Sequence, residues 1–165
     1  MRIRRVYLEN FGSHRRTEIT FSDGINAIIG NNGAGKTTIL EAIAYALYHR
    51  TDRSLEELIM IGTPKMRVEL EFEVGGRSYL VIRERSRDGT TSAELYEIAH
   101  GSRKFLQRDQ TKVSSQIEAI LGFSRDVFLQ GIYVRQGEIQ ALLESQPAKR
   151  KELIARLLGI DILER

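Results

Sequence analysis

Residues 30–38 contain the side chains and the spacing best suited to phosphate chemistry. They read Gly-Asn-Asn-Gly-Ala-Gly-Lys-Thr-Thr, which fits the phosphate-loop pattern G-x-x-x-x-G-K-[ST]. Glycines let the main chain approach an anion closely, so that backbone N–H groups converge on the phosphate oxygens. In such a loop Lys36 reaches the β- and γ-phosphates of a nucleotide, Thr37 is a ligand of Mg²⁺, and Thr38 adds a hydroxyl. The pattern therefore predicts a site for a nucleoside triphosphate and magnesium.

The segments on either side of this loop agree with that prediction. Residues 25–29 form a short apolar run of the kind found in buried strands. After the loop, Ile39, Ile43 and Leu47 recur at helical spacing and mark one face of a long helix. The start of a helix adds free N–H donors and the positive end of its dipole. Strand, glycine loop and helix thus favour a nucleotide site over the alternative, a glycine-rich turn without a ligand.

The composition limits the class of protein. With 165 residues the chain can form one domain or one lobe of a larger one. The absence of cysteine excludes disulfides and thiolate metal sites. We find neither a signal peptide nor an apolar run long enough to cross a bilayer, so we expect a cytoplasmic protein without membrane contact. The net charge of +3 permits contact with nucleic acid without demonstrating it.

Two strands are expected before the phosphate loop. Residues 2–11 alternate as a strand and place Leu8 and Phe11 on opposite faces. The polar loop that follows contains His14, which residue chemistry alone assigns to a solvated position. A second strand is expected over residues 18–21, before a Ser-Asp-Gly turn.

An antiparallel meander is expected downstream, at about residues 66–100. Ser54 and Glu57 have the spacing of a capping box and predict a short helix that ends near Met60. Residues 67–74 then alternate between apolar and charged side chains, as in a sheet with one wet face. Glycine turns separate the three predicted strands, which lie at residues 67–74, 79–85 and 93–98.

The remaining part of the chain has mainly helical patterns. An amphipathic helix is predicted at residues 111–121, and Ser124 is the cap of a further helix at residues 125–130. A short strand is then predicted through Val134, and Gln136 follows in a loop that opens a helix. The neutral amide of Gln136 can reach a bound Mg²⁺ and an attacking water. The alternative for Gln136 is a polar residue at a strand end without a further role. A last helical pattern fills residues 146–165.

Basic residues are concentrated between Arg77 and Lys112. This window holds eight Lys or Arg and five Asp or Glu, and the difference of three equals the net charge of the whole chain. The window is either a surface that follows DNA phosphates or a solvated sheet edge, where Lys and Arg prevent edge pairing. If it binds DNA, charge reversal at Arg83, Arg85 and Arg103 is expected to weaken binding and to flatten its salt dependence.

A phosphate loop normally works with a second motif, an apolar strand that ends in an aspartate and helps to hold Mg²⁺. We find no convincing example in the sequence. The apparatus for hydrolysis is therefore incomplete within these residues. A free-standing nucleotide kinase is disfavoured for the same reason and because an arginine-rich lid is missing. A scaffold that uses ATP only to dimerise stays open as an alternative.

Three stretches, residues 10–14, 30–38 and 132–139, together resemble the ATPase heads of the SMC family within the ABC class. They are most similar to the family of double-strand-break repair ATPases called Rad fifty, or SbcC in bacteria. The resemblance implies an α/β fold, the N-terminal lobe of a P-loop ABC-type ATPase head with an antiparallel meander, over residues 1–145. The start of a coiled coil would follow at residues 146–165. SMC proteins, RecN and RecF are the nearest alternatives.

The same resemblance implies an ATP hydrolase and gives functions to individual residues. Lys36 and Gln136 would be catalytic, and Thr37 and Gln136 would be ligands of Mg²⁺. Relatives usually have Arg or Lys where this chain has Gly12, so a cationic contact to the nucleotide is lost or taken over by a neighbouring arginine. Contacts to ATP are implied for a larger set: Ser13, Asn32, Gly33, Ala34, Gly35, Lys36, Thr37, Thr38, and, near the adenine, Ile59, Met60 and Ile61.

Partners are implied as well. A C-terminal lobe of the same protein would supply the acidic motif, the catalytic glutamate and the signature motif. Two heads would sandwich two ATP molecules, and a nuclease of the Mre eleven type would dock at the helix over residues 147–165. Double-stranded DNA would bind in the region of residues 77–112. The compartment would be the cytoplasm, at the nucleoid, in a prokaryote and the nucleus in a eukaryote.

Overall fold

The computed structural model describes residues 1–49 and 53–128, and the chain divides after Leu121 into two compact units. In the described part of the first unit, Met1–Leu121, the elements in chain order are β1 Arg2–Phe11, β2 His14–Thr20, α1 Lys36–Tyr48, β3 Lys65–Val74, β4 Arg77–Ser86, β5 Thr91–Ala99, β6 Ser102–Arg108 and α2 Gln110–Leu121. The second unit, Gly122–Arg165, begins with the short helix α3, Arg125–Val127, where the Ser124 hydroxyl accepts the Val127 N–H at 3.5 Å.

The described strands form one six-stranded antiparallel sheet in the order β2-β1-β3-β4-β5-β6. Because β1 pairs with both β2 and β3, the N-terminal hairpin and the downstream meander are continuous. The predicted meander is therefore present as part of a larger sheet.

The core lies between one face of this sheet and the helices α1 and α2. Alternation along β3 brings Val68, Leu70 and Phe72 to this face, where each is fully buried. Every residue of α1 from Thr38 to Tyr48 except Leu40 is buried. The helix that follows the phosphate loop is thus held firmly, which gives the loop a rigid base. No helix in residues 1–49 and 53–128 is long and apolar enough to cross a bilayer.

The predicted alternation of β1 was wrong at its last two residues. Asn10 has a φ of 52°, which is a left-handed conformation, and Phe11 therefore turns to the buried face that Leu8 occupies. Both side chains are fully buried. The period of two holds only while every residue is extended, and one left-handed residue shifts all that follow.

The apolar run at residues 25–29 is not a strand in the structure, contrary to the prediction. Ile25 is 99% exposed and Ile29 is 91% exposed. A strand needs a neighbour for its backbone N–H and C=O groups, and none of the strands in the described ranges lies beside this run. Instead the Asn26 amide folds back on Ser22, accepting its N–H at 3.0 Å and donating to its carbonyl at 2.9 Å.

The short helix predicted after Ser54 is a turn. The Ser54 hydroxyl does accept the Glu57 N–H at 3.3 Å, as the capping box requires. The chain then pairs with the end of β1, where Gly12 donates to the Leu58 carbonyl at 2.6 Å. Backbone groups used in this pairing are not available for the next helical turn, so the segment ends as an isolated bridge between Ile59 and β1.

The meander has one strand more than predicted. We expected it to end at His100 and Gly101, whereas both residues have positive φ and form the turn into the edge strand β6. The helix α2 occurs where it was expected, with Val113 and Ile117 buried. The end of the helix predicted at residues 125–130, the predicted position of Gln136 and the helical pattern at residues 146–165 lie outside the described residues.

Candidate nucleotide-binding site

The phosphate loop is open to solvent along most of its length. Asn32, Gly33 and Ala34 are all exposed, and the Ala34 N–H donates to the Asn31 carbonyl at 3.1 Å to close a turn. Gly33 and Gly35 have φ values of 81° and 87°, in the left-handed region that favours glycine. The loop therefore depends on the glycines that the motif provides at these two positions.

The ammonium group of Lys36 lies across this loop. Its Nζ donates to the carbonyls of Gly30, at 2.7 Å, and of Asn31, at 2.8 Å. The side chain thus runs from the last part of the loop to its first residues. This places a positive charge within the loop, where a bound triphosphate would need it.

The N-terminus of α1 is free to bind an anion. Gly35 is its N-cap, no side chain of the described residues caps it, and its first turn contains no acidic residue. Thr37 is exposed, so that a ligand or metal ion can reach its hydroxyl, whereas Thr38 is only 9% exposed. Helix N-termini of this kind attract phosphate through unpaired N–H groups and the helix dipole.

The turn between β1 and β2 packs directly against the loop. A Cβ on Gly35 would lie 2.5 Å from both the Ser13 hydroxyl and His14 Nε2. A Cβ on Gly12 would lie 2.6 Å from Thr38 Cγ2. A side chain at position 12 would therefore require Thr38 to move. Ser13, predicted to contact nucleotide, is brought next to the loop.

His14 contacts the loop as well, and its predicted solvated position was wrong. Its Nε2 lies 3.1 Å from the Gly35 carbonyl, and its Nδ1 lies 2.9 Å from the Thr17 hydroxyl. The ring is half-buried. Residue chemistry alone missed this contact, because it depends on how β2 returns along β1. The signal was the position of His14 in residues 10–14, one of the stretches that carries the family resemblance.

The segment predicted to lie near the adenine is bound to neighbouring residues by hydrogen bonds. Ile59 is 1% exposed, whereas Ile61 is 95% exposed at the tip of the segment. Arg87 was not predicted to have a role here, yet its Nη2 donates to the carbonyls of Ile59, at 3.1 Å, and Met60, at 3.0 Å. Its Nε donates to the Thr63 carbonyl at 2.8 Å. Contact between these residues and adenine stays a prediction.

Protein ligands for a metal ion are few in the part of the chain that the structure describes. It contains no group of three or more His, Cys, Asp or Glu side chains that could hold an ion. Thr37 is the predicted ligand of Mg²⁺ within the described ranges, and Gln136 lies beyond them. Magnesium at a nucleotide is commonly held by one or two protein groups together with phosphate oxygens and water, so the role of Thr37 stays a prediction.

The sheet places some residues of the basic window in the core and others on the surface. Arg83 is fully buried, so its predicted place on a DNA-binding surface was wrong. Alternation along β4 puts Arg83 on the same face as the buried Val81, which is the face that α1 covers. Arg85 is half-buried, whereas Arg103 is exposed on the edge strand β6.

A model of the AAA domain family matches residues 5–164. The chain belongs to the AAA domain family. This assignment agrees with the phosphate loop and with the α/β fold predicted from the sequence.

Individual relatives indicate a narrower group of proteins than the AAA domain family does. The chain is 41% identical to the DNA double-strand break repair Rad50 ATPase of Methanococcus maripaludis, over all of this chain and 16% of that protein. It is 42% identical to the protein of the same name from Thermoplasma volcanium, over 99% of this chain and 18% of that protein. The chain therefore spans less than a fifth of the length of these relatives.

Solved structures show the same fold. The SMC head domain from Thermotoga maritima superposes with a TM-score of 0.53 and 29% identity, over 70% of this chain and 42% of that one. The recombination mediator protein RecF with ATP superposes with a TM-score of 0.57 and 15% identity, over 96% of this chain and 38% of that one. The second likeness concerns the fold alone. The prediction of an SMC-like head fold is confirmed.

Proposed function

We propose that this chain is the N-terminal, ATP-binding part of the ATPase head of a Rad50-type DNA double-strand break repair protein. The observation that carries the proposal is the open phosphate loop, with the Lys36 ammonium held across it at the uncapped N-terminus of α1. Identity of about two residues in five to Rad50 ATPases, over the whole chain, supports the specific choice.

In this proposal the residues of the loop bind and orient ATP. Backbone N–H groups of residues 32–37 and the Lys36 ammonium hold the β- and γ-phosphates, and the Thr38 hydroxyl supports them. Thr37 and Gln136 would hold Mg²⁺, which neutralises charge on the phosphates. Ser13 would contact the nucleotide from the β1–β2 turn, and residues 59–61 would lie near the adenine.

Hydrolysis would require a C-terminal lobe of the same protein. The sequence offers no convincing acidic motif, and within residues 1–49 and 53–128 the apolar run at residues 25–29 pairs with no strand, with Ile25 and Ile29 exposed. In this proposal a strand of the C-terminal lobe would pair with this run and bury both side chains. Burying each isoleucine would contribute about 1.5–3 kcal/mol. Such a pairing would make the run at residues 25–29 part of the contact between this chain and the proposed C-terminal lobe.

The chain alone is expected to bind ATP but to hydrolyse it negligibly, and addition of the C-terminal lobe is expected to start turnover. The reason is that the acidic Mg²⁺ motif and the catalytic glutamate would be on the added lobe. Phosphate release under steady-state conditions is the measurement, with the Lys36→Ala chain plus the same lobe as the control. Sustained turnover by the chain alone would refute the divided head and favour a self-sufficient ATPase.

Two further partners follow from the same proposal. Two heads would engage across two ATP molecules, because the γ-phosphate contacts both, and hydrolysis would release them. A nuclease of the Mre eleven type would dock on residues 147–165. A scaffold without catalysis would show ATP-dependent dimers and no turnover even with the C-terminal lobe, which separates it from the main proposal.

Double-stranded DNA is proposed to bind along the exposed basic residues of the window from Arg77 to Lys112, with Arg83 excluded because it is buried. The edge strand β6 is the most basic part. Arg103 and Lys104 are exposed and make no ion pair among the described residues, whereas Arg108 is paired with Glu94 at 2.8 Å. Unpaired cations on an edge are suited to follow a phosphate backbone.

The double variant Arg103→Glu, Lys104→Glu is expected to weaken duplex binding. It should also reduce the slope of the logarithm of the binding constant against the logarithm of salt concentration by up to about 2, since each lost phosphate contact removes about 0.9 from that slope. The measurement is fluorescence anisotropy of a labelled duplex at several salt concentrations. The matched control is Arg15→Glu, Arg16→Glu, which changes the net charge equally on the opposite edge strand β2, where both arginines are exposed. Equal effects of the two variants would contradict a specific β6 surface.

A further inference from the structure

We propose that His14 is a positioning residue for the phosphate loop: it fixes the peptide between Gly35 and Lys36, and so aims the Lys36 N–H at a bound phosphate. The inference rests on the proposed function, because it assigns a role within the same nucleotide site. It concerns a side chain on β2, outside the loop itself, and it is carried by four observations about the Gly35 peptide.

The first observation is that the Gly35 carbonyl is held from two sides. It accepts the Ile39 N–H at 3.2 Å, which is the first hydrogen bond of α1, and His14 Nε2 lies 3.1 Å away. A carbonyl oxygen has two lone pairs, and both are then used. Its direction is therefore set by the helix and by β2 together, rather than by the helix alone.

The second observation concerns the geometry of the peptide. The bond between Gly35 and Lys36 is planar, and no cis peptide occurs in the described residues. In a trans peptide the C=O and the N–H point in opposite directions. A histidine that holds the Gly35 oxygen toward β2 thus turns the Lys36 N–H away from it, toward the open mouth of the loop. That N–H is one of the donors through which a helix N-terminus binds phosphate.

The third observation is that Gly35 needs such a restraint. Its φ of 87° lies in the left-handed region, and glycine enters or leaves this region at little cost. The peptide that follows is therefore free to rotate unless something outside the loop holds it. A Cβ on Gly35 would lie 2.5 Å from His14 Nε2. The same close approach that excludes a side chain here allows the imidazole to reach the carbonyl.

The fourth observation is that the imidazole is itself oriented. Since a carbonyl can only accept, Nε2 carries the hydrogen in the neutral ring, and Nδ1 accepts the hydroxyl hydrogen of Thr17 at 2.9 Å. Thr17 lies in β2, which pairs with the central part of the sheet through β1. The chain of contacts from Thr17 through His14 to Gly35 therefore connects the rigid sheet to the phosphate loop.

The test compares two amide substitutions in the full chain by titration calorimetry with ATP and Mg²⁺. His14→Gln places an amide N–H near the position of Nε2, whereas His14→Asn reaches only about as far as Nδ1. We expect His14→Asn to raise the dissociation constant about threefold to tenfold, the worth of one hydrogen bond, and His14→Gln to stay within about twofold of the wild type. His100→Asn, at an exposed turn, is the matched control and should change nothing.

Two further measurements separate positioning from a general loss of structure. The Lys36 amide resonance should move on addition of ATP in the wild type and in His14→Gln, and much less in His14→Asn. Thr17→Val leaves the imidazole in place and should weaken binding by about twofold to threefold, which tests the idea even if His14→Asn folds poorly. Equal affinities of wild type and His14→Asn, or equal losses in the Asn and Gln variants, would overturn the role of His14 and leave the ATP site standing. A wild-type chain that binds no ATP would overturn the proposed function itself.

Discussion

Replacement of Lys36 by alanine is expected to weaken ATP binding by about a hundredfold or more. The Lys36 ammonium lies across the loop, 2.7 Å from the Gly30 carbonyl and 2.8 Å from that of Asn31. A bound triphosphate would exchange these neutral acceptors for phosphate oxygens. Hydrogen bonds to charged groups contribute about 1.5–3 kcal/mol each, and two of them correspond to a factor of a hundred or more. The loss should be larger for ATP than for AMP, which lacks the β- and γ-phosphates.

Titration calorimetry with ATP and Mg²⁺ measures this effect directly. Lys104→Ala is the matched control, because Lys104 is an exposed lysine on the edge strand β6 and lies outside the phosphate loop. Circular dichroism and a urea titration of both variants should show unchanged folding, since the hydrogen bonds of the Lys36 side chain within the described residues go to two exposed loop carbonyls. An affinity in Lys36→Ala within threefold of the wild type would mean that the loop is not a nucleotide site.

Replacement of Arg83 by methionine is expected to lower the free energy of unfolding by about 3 kcal/mol. Arg83 is fully buried, and its Nε donates to the Ala46 carbonyl at 2.7 Å. Its Nη2 donates to the Leu47 carbonyl at 3.1 Å, and its Nη1 donates to the side-chain oxygen of Gln110. Methionine keeps the apolar stem but removes the Arg83 donors from two buried carbonyls of α1 and from the part-buried Gln110 oxygen. Each unsatisfied acceptor costs about 1–3 kcal/mol.

The charge of Arg83 adds to this contribution. Burial lowers the pKa of Arg83 to about 10, so that the guanidinium is still charged at neutral pH. The carbonyls of Ala46 and Leu47 belong to the last turn of α1, where the helix dipole is negative and a cation is favourable. The pKa of His49, at the end of the same helix, shows the effect of the same buried surroundings. Burial, with smaller contributions from the charges of Arg83 and Arg85, lowers the pKa of His49 to about 4.

Urea denaturation is the measurement for Arg83→Met, and Arg103→Met is the matched control. Arg103 is exposed, and surface substitutions of this kind change stability by no more than about 0.5 kcal/mol. The two variants remove the same charge and add the same side chain. The difference between their free energies of unfolding therefore measures the effect of burial at position 83. Equal urea midpoints for Arg83→Met and Arg103→Met would contradict the buried contacts of Arg83. They would mean that Arg83 lies on the surface, as the sequence pattern predicted.

The sequence alone was sufficient for features that depend on a few adjacent residues. The phosphate loop was predicted from its glycines, Lys36 and Thr37. The helix α2 and the strands β3 and β4 were predicted from the period of their apolar residues. The helix α2 satisfies its backbone groups internally, and β3 and β4 pair with each other as neighbours in sequence, although β3 also pairs with the distant β1. Such patterns fix the local structure before any distant contact is known.

The tertiary structure decided what depends on a partner far away in the chain. Residues 25–29 have the composition of a strand, but they do not form one, and no strand in the described part of the chain lies beside them. Arg83 looks like a surface cation in a basic window, yet the sheet turns it toward the carbonyls at the end of α1. His14 looks like a solvated loop residue, yet the return of β2 brings it to Gly35. Composition limits which contacts a side chain is able to make, but only the fold brings its partners within reach.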